Sequence, residues 1–219
     1  MPVITRLQAI GRHAASTRVE IDGEPWMELD TEVVLRFALW KGMEADDAFQ
    51  RTLAAEHHFI RARRATAILL NTRLRASNEL RRRLREKKFD EATVERTVAH
   101  FEEKGDLDDE RFARLYLRNE LKKANVGPLK AREKLRSLGV AEEFIDRAIA
   151  EAEGAGREGQ LVKARRLAEK RARIGRDESA LKLKKRIHEA LRRAGFESDI
   201  CRVVVEEMTA REGRVGGLD

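Results

Sequence analysis

The chain has 219 residues, 42% of them apolar, 39% charged and 5% aromatic, with three prolines and one cysteine. That length holds one large domain or several small modules in a row, and few aromatics and prolines beside abundant Ala, Leu, Arg, Lys and Glu predict helix over sheet. A lone Cys201 excludes a disulfide framework within the chain and fits a reducing cytosol. No apolar run approaches the roughly 20 residues of a bilayer span, so a soluble, cytoplasmic protein is expected; a monomer is expected as well. The net charge of +7 points to an acidic partner, either nucleic acid or an acidic protein surface.

Residues 1–60 read unlike the rest. Residues 3–10 (VITRLQAI) and 17–21 (TRVEI) alternate in strand fashion, and Asp22-Gly23 is a hairpin turn signal before residues 24–29. An antiparallel ribbon of two or three strands is predicted, which must pack on something because an isolated ribbon is marginal in water. Asp30-Thr31 caps a short amphipathic helix over 32–39. A longer helix then starts near Asp47 and runs towards Asn71, with a break expected near His57-His58.

From about Arg61 the chain repeats itself. Residues 77–98 (SNELRRRLREKKFDEATVERTV), 128–149 (PLKAREKLRSLGVAEEFIDRAI) and 184–205 (KKRIHEALRRAGFESDICRVVV) align at shifts of 51 and then 56 positions. Each copy has an apolar pair four apart (Leu80/Leu84, Ala131/Leu135, Ile187/Leu191), a Lys or Gly, one apolar residue, an acidic helix start and a second apolar pair. This predicts a mainly α fold: three three-helix repeats in tandem (61–109, 110–156, 157–219) after the N-terminal ribbon-and-helix segment 1–60. Ser77 and Asp90 are suited to cap helices, and Gly139 and Gly195 to end them in the left-handed region. Lys88 holds the equivalent place in the first copy. Gly154–Gly159 reads as a looser joint and residues 215–219 as a frayed tail.

Charge follows the repeat. Residues 61–88 carry 11 basic side chains against 2 acidic, residues 89–120 carry 5 against 10, and residues 157–196 carry 14 against 5. In the second helix of repeat one, Leu80 and Leu84 fix the core direction, so Arg82 and Arg85 point away from it and Arg81 lies on a flank. Arg132 and Arg136 repeat Arg81 and Arg85, and Arg192 repeats Arg85 once more, whereas His188 replaces Arg81. With Arg73, Arg75, Lys122, Lys123 and Lys130, these residues form a candidate basic stripe. Such contacts hold phosphates without reading sequence, and an acidic protein groove would meet the same residues.

No Gly-rich phosphate loop, G-x-S-x-G elbow, H-E-x-x-H or Cys/His metal spacing occurs. His57 and His58 are adjacent and project about 100° apart on a helix, unlike a metal-binding i,i+4 pair. The acidic string 106–110 (DLDDE) is expected to cap the following helix through Asp108 or Asp109 rather than hold a metal. No catalysis, cofactor or metal is expected.

Residues 105–113 (GDLDDERFA), followed by Tyr116 and Arg118, resemble the central motif of the RecX family, bacterial modulators of RecA recombinase. Ser77-Asn78-Glu79-Leu80 with Leu84 and Phe89 resembles the family's first repeat, and Gly127-Pro128 with Leu135 and Gly139-Val140 its second. The likeness spans roughly residues 60–205, and the third copy departs most, with a longer stretch over 175–185. The resemblance implies that Phe112 and Ala113 enter a core while Asp108 and Asp109 cap the helix. It also implies a non-catalytic regulator of recombination and DNA repair that docks on the RecA–DNA filament, touching RecA and single- or double-stranded DNA. Such a ligand would inhibit ATP turnover, strand exchange and filament growth. The alternative is a protein acting directly on DNA or RNA through its basic helices.

Overall fold

The computed structural model describes residues 1–11, 15–123, 125–153, 157–173 and 179–215. Residues 154–156 of the expected joint, 175–178 of the longer third-repeat stretch and the tail 216–219 lie outside the described residues. The chain divides into two compact units. The first is Met1–Arg75 with Glu79–Leu107, and the second is Ala76–Asn78 with Asp108–Asp219.

In the first unit, β1 (Ile4–Ile10), β2 (Ser16–Ile21) and β3 (Glu24–Asp30) form an antiparallel sheet in the order β1-β2-β3. Asp22 and Gly23 both take positive φ, +50° and +86°, the twist that lets a two-residue turn continue two right-twisted strands. The ribbon does find a packing partner. Ile4, Val19 and Leu29 from the sheet, Val33 from α1 (Thr31–Arg36), and Leu53 and Ile60 from α2 (Asp47–Thr72) make one buried cluster.

α2 runs its 26 residues without the break expected at His57-His58. It contains no Pro or Gly, and His57 turns inward, where its Nδ1 accepts the Asp30 amide at 2.9 Å. The same Asp30 caps α1 by accepting the Glu32 amide at 2.9 Å. The far half of α2 packs with α3 (Ser77–Glu86) and α4 (Glu91–Glu103) around Ala62, Leu80, Leu84, Val94, Val98 and Phe101. The first helix of repeat one is therefore the end of a long helix whose beginning supports the sheet.

In the second unit, α5 (Asp109–Leu121), α6 (Pro128–Ser137) and α7 (Glu142–Glu153) enclose Phe112, Ala113, Leu117, Ala131, Leu135 and Ile145. α8 (Arg157–Ala172), α9 (Ala180–Ala194) and α10 (Ser198–Val215) enclose a separate core that includes Ile187, Leu191, Phe196, Cys201 and Val204. Cys201 is a buried core residue whose thiol is pushed up by desolvation.

The turn between second and third helices is the same in every repeat. Lys88, Gly139 and Gly195 adopt φ of +66°, +80° and +81°. The next amide then reaches back to the helix: Phe89 to the Leu84 carbonyl (3.3 Å), Val140 to Leu135 (3.2 Å) and Phe196 to Leu191 (3.2 Å). This closes the last turn of each helix as a Schellman motif does. Lys88 ends its helix as the two glycines do, without their conformational freedom.

Candidate functional site

The shared turn fixes which side chains of the third helix lie across from the second. In repeat one, Arg81 Nε donates to both carboxylate oxygens of Glu95 (2.9 and 3.0 Å), and Arg85 forms a two-point pair with Glu91, its Nε at 2.9 Å. In repeat two the aligned arginines do the same. Arg132 pairs with Asp146 and lies 3.3 Å from Glu142, while Arg136 forms a two-point pair with Glu142. The hydrogen bond that Glu91 accepts from Arg85 raises the Arg85 pKa and lowers the Glu91 pKa; Arg136 and Glu142 shift likewise for the same reason. The guanidinium groups predicted to project away from the core do reach the surface, but each carries a carboxylate with it.

Arg73 and Arg75 behave differently. Both converge on Glu79, which is 2% exposed; Arg75 is 10% exposed and also donates to the Leu69 carbonyl at 3.1 Å. Burial pushes the Glu79 carboxyl up, but the two guanidiniums outweigh that and hold it below its ordinary value. Arg75 is built into the first unit, whereas Arg73 keeps half its side chain in solvent. Arg82 is also exposed, with Glu86 at 3.9 Å.

Lys122, Lys123 and Lys130 are exposed at the end of α5 and on α6. Lys123 pairs with Glu120. Lys122 continues a row outside the expected stripe, formed by Arg111, Arg114 and Arg118 on α5. Together they border a groove of about 890 Å³ whose lining includes Leu115, Leu121 and Ala152. The 3–4-residue spacing of this row is visible in the sequence; its assembly beside Ala148 and Ala152 of α7 is not.

Repeat three breaks the pairing pattern. Arg192 aligns with Arg136 and Arg85, yet Ser198 stands where Glu142 and Glu91 supply the carboxylate. Arg202 stands where Asp146 and Glu95 do. Arg192 and Arg202 are exposed, and neither forms an ion pair with a carboxylate among the described residues. His188, also exposed, takes the place of Arg132.

The acidic string is spent on structure. Asp108 caps α5, accepting the Arg111 amide at 2.8 Å. Asp109 does not share that role as expected; its Oδ1 accepts the Ser77 amide at 2.7 Å, tying the start of α3 to α5 within the second unit. Phe112 and Ala113 are buried, with the Phe112 ring stacked on Tyr116. Among the described residues no group of three or more His, Cys, Asp or Glu side chains is placed to hold a metal, and no helix is long and apolar enough to cross a membrane.

Residues 62–101 match the first three-helix domain of RecX, and residues 108–149 match the second. The regulatory protein RecX of Geobacillus kaustophilus is 31% identical over 191 residues, covering 86% of this chain and 70% of that protein. A crystal structure of regulatory protein RecX aligns with a TM-score of 0.74 at 23% identity, over 94% of this chain and all of that one. The crystal structure of RecX from Lactobacillus salivarius aligns at 0.62 with 21% identity, over 68% of this chain and 96% of that one. The third copy lies outside the two matched domains but repeats their turn, helix order and core. With the tandem three-helix architecture and this relative, the chain belongs to the RecX family of regulatory proteins.

Proposed function

We propose that this protein is a non-catalytic regulator of homologous recombination that binds the RecA–DNA filament and inhibits its ATPase, strand exchange and growth. Family membership supports the regulatory role, and one observation carries the reading further. In the second unit the Asn78 side-chain amide donates to the Gly139 carbonyl at 2.6 Å. The aligned Leu129 amide donates to the aligned Gly195 carbonyl at 3.1 Å. Within the second unit, each glycine that ends a second helix thus offers its carbonyl to the aligned residue of the preceding copy, to a side-chain amide at Gly139 and to a backbone amide at Gly195. A repeating ligand suits a repeating partner: several weak contacts made by one chain give avidity, and preference for one filament state shifts assembly by that differential affinity.

The exposed cations Arg73, Arg82, Arg85, Lys122, Lys123, Lys130, Arg136 and Arg192 are the contact residues in this reading. Arg75, Arg81 and Arg132 position their surroundings through their carboxylate partners. The test is RecA ATPase on single-stranded DNA with this protein far below the DNA-site concentration. Inhibition at substoichiometric levels is expected; inhibition only once the DNA is coated would sink the filament reading and favour direct action on nucleic acid.

A further inference from the structure

We propose that repeat three is the nucleic-acid-contacting repeat: an exposed face of α9 and α10 carrying Lys185, Arg192 and Arg202 binds the phosphodiester backbone. Repeats one and two place two arginines on the second helix and two carboxylates across from them on the third, so these four charges balance. Repeat three keeps the turn, with the Phe196 amide 3.2 Å from the Leu191 carbonyl as Val140 is from Leu135. Yet Ser198 and Arg202 now occupy the two carboxylate positions. Four positions whose charges balance in the first two repeats carry a net positive charge in the third.

The side chains are placed to use that charge. On α9, Leu183, Ile187, Leu191 and Ala194 are buried. At 100° per residue, Lys185 and Arg192 point opposite that core, and both are exposed. The neighbouring carboxylates, Glu189 on the same face included, are not closed onto them as in repeats one and two. Asp199 is engaged by Arg157 at 2.8 Å. Glu189, Glu197 and Glu206 form no ion pair with Lys185, Arg192 or Arg202 among the described residues. The partner is a phosphate chain because the face offers cations and no aromatic ring on which a base would stack, which binds backbone without reading sequence. The inference deepens the filament reading by naming which repeat meets the nucleic acid, and rests on it for its setting only.

The test is fluorescence anisotropy of a labelled oligo-dT over a salt series. Lys185→Ser with Arg192→Ser and Arg202→Ser is expected to weaken binding about tenfold or more at low salt and to shallow the salt slope by about 2. Ser198→Glu with Arg202→Asp, which gives repeat three the acids of repeat two, is expected to weaken it likewise. Glu142→Ser with Asp146→Arg, which gives repeat two the pattern of repeat three, is expected to strengthen it. Arg18→Ser with Lys41→Ser and Lys104→Ser removes the same charge elsewhere and is expected to stay within about twofold. Wild-type affinity in the first two variants, with helicity intact by circular dichroism, overturns the proposal, as does equal loss in the charge-matched control. Variants that keep oligo-dT but lose DNA-free RecA assign the face to protein and also overturn it. Unchanged oligo-dT binding with retained ATPase inhibition defeats this inference alone. Absence of wild-type ATPase inhibition defeats the filament reading alone.

Discussion

The Leu129 amide donates to the Gly195 carbonyl across 3.1 Å, and this contact explains why the third repeat ends its second helix on glycine. A Cβ at Gly195 would lie 2.4 Å from the Lys130 amide nitrogen, and one at Gly127 would lie 2.3 Å from the Gly195 oxygen. At Gly139 the obstacle is the Asn78 side chain, whose Cβ would be 2.5 Å away. Lys88, at the same turn of repeat one, is exposed. Side-chain bulk is admissible there and not at the other two positions.

Gly195→Ala should therefore destabilise the protein by about 2 kcal/mol or more, combining left-handed strain with a backbone collision. Lys88→Gly relieves the same strain but adds chain entropy to the unfolded state, so it should change stability by less than about 1 kcal/mol. Urea unfolding of the two variants checks the contrast. Equal effects would show that the packed helix plays no part.

Glu79→Gln should be among the most damaging polar substitutions in the first unit. It leaves the nearly buried Arg75 guanidinium without its carboxylate, a loss of about 3 kcal/mol. Because the Glu79 carboxyl is held below its ordinary value, its contribution is complete above the unfolded pKa near 4.3 and is lost as pH falls through the lower folded value. Wild type should lose stability on acidification in that window, and Glu79→Gln should lose less; chemical denaturation at stepped pH measures both.

His57 gives a second pH dependence at milder acidity. Burial lowers its pKa, with Arg61, His58 and Arg64 acting in the same direction and Asp30 opposing. Its Nδ1 accepts the Asp30 amide, so it must be neutral there. The unfolded chain takes up a proton near pH 6.5 that the folded chain refuses, so stability is full above that pH and declines as pH drops below it. His57→Gln should flatten this decline. NMR titration of the imidazole, giving a pKa at or above 6.5, would contradict the assignment.

The paired arginines of repeats one and two lie at the surface, and exposed pairs add little stability. Glu91→Gln and Glu142→Gln should leave the thermal midpoint nearly unchanged while freeing Arg85 and Arg136. The measurable consequence is stronger retention on a phosphate-bearing cation-exchange matrix. Unaltered retention would mean that the carboxylates do not mask these arginines.

The helical class, the three turns and the inward residues of the repeats were legible in the sequence. These follow from local periodicity and capping, where Asp90 and Asp108 accept the amides three residues on. It also located the cations, since helical phase says which residues leave the core. What it left open was everything that depends on a second element. Periodicity orients Arg81, Arg85, Arg132 and Arg136 relative to their own core, but not relative to the acids of the next helix. Those acids meet them only after the left-handed turn has folded that helix back. The same holds for Arg75, turned inward by Glu79, for Asp109, taken by Ser77, and for His57, turned inward to accept an amide of β3. Tertiary structure thus decided which basic residues are neutralised and which are not. Electrostatic screening by a partner acts through space across a few ångströms, whatever the separation along the chain.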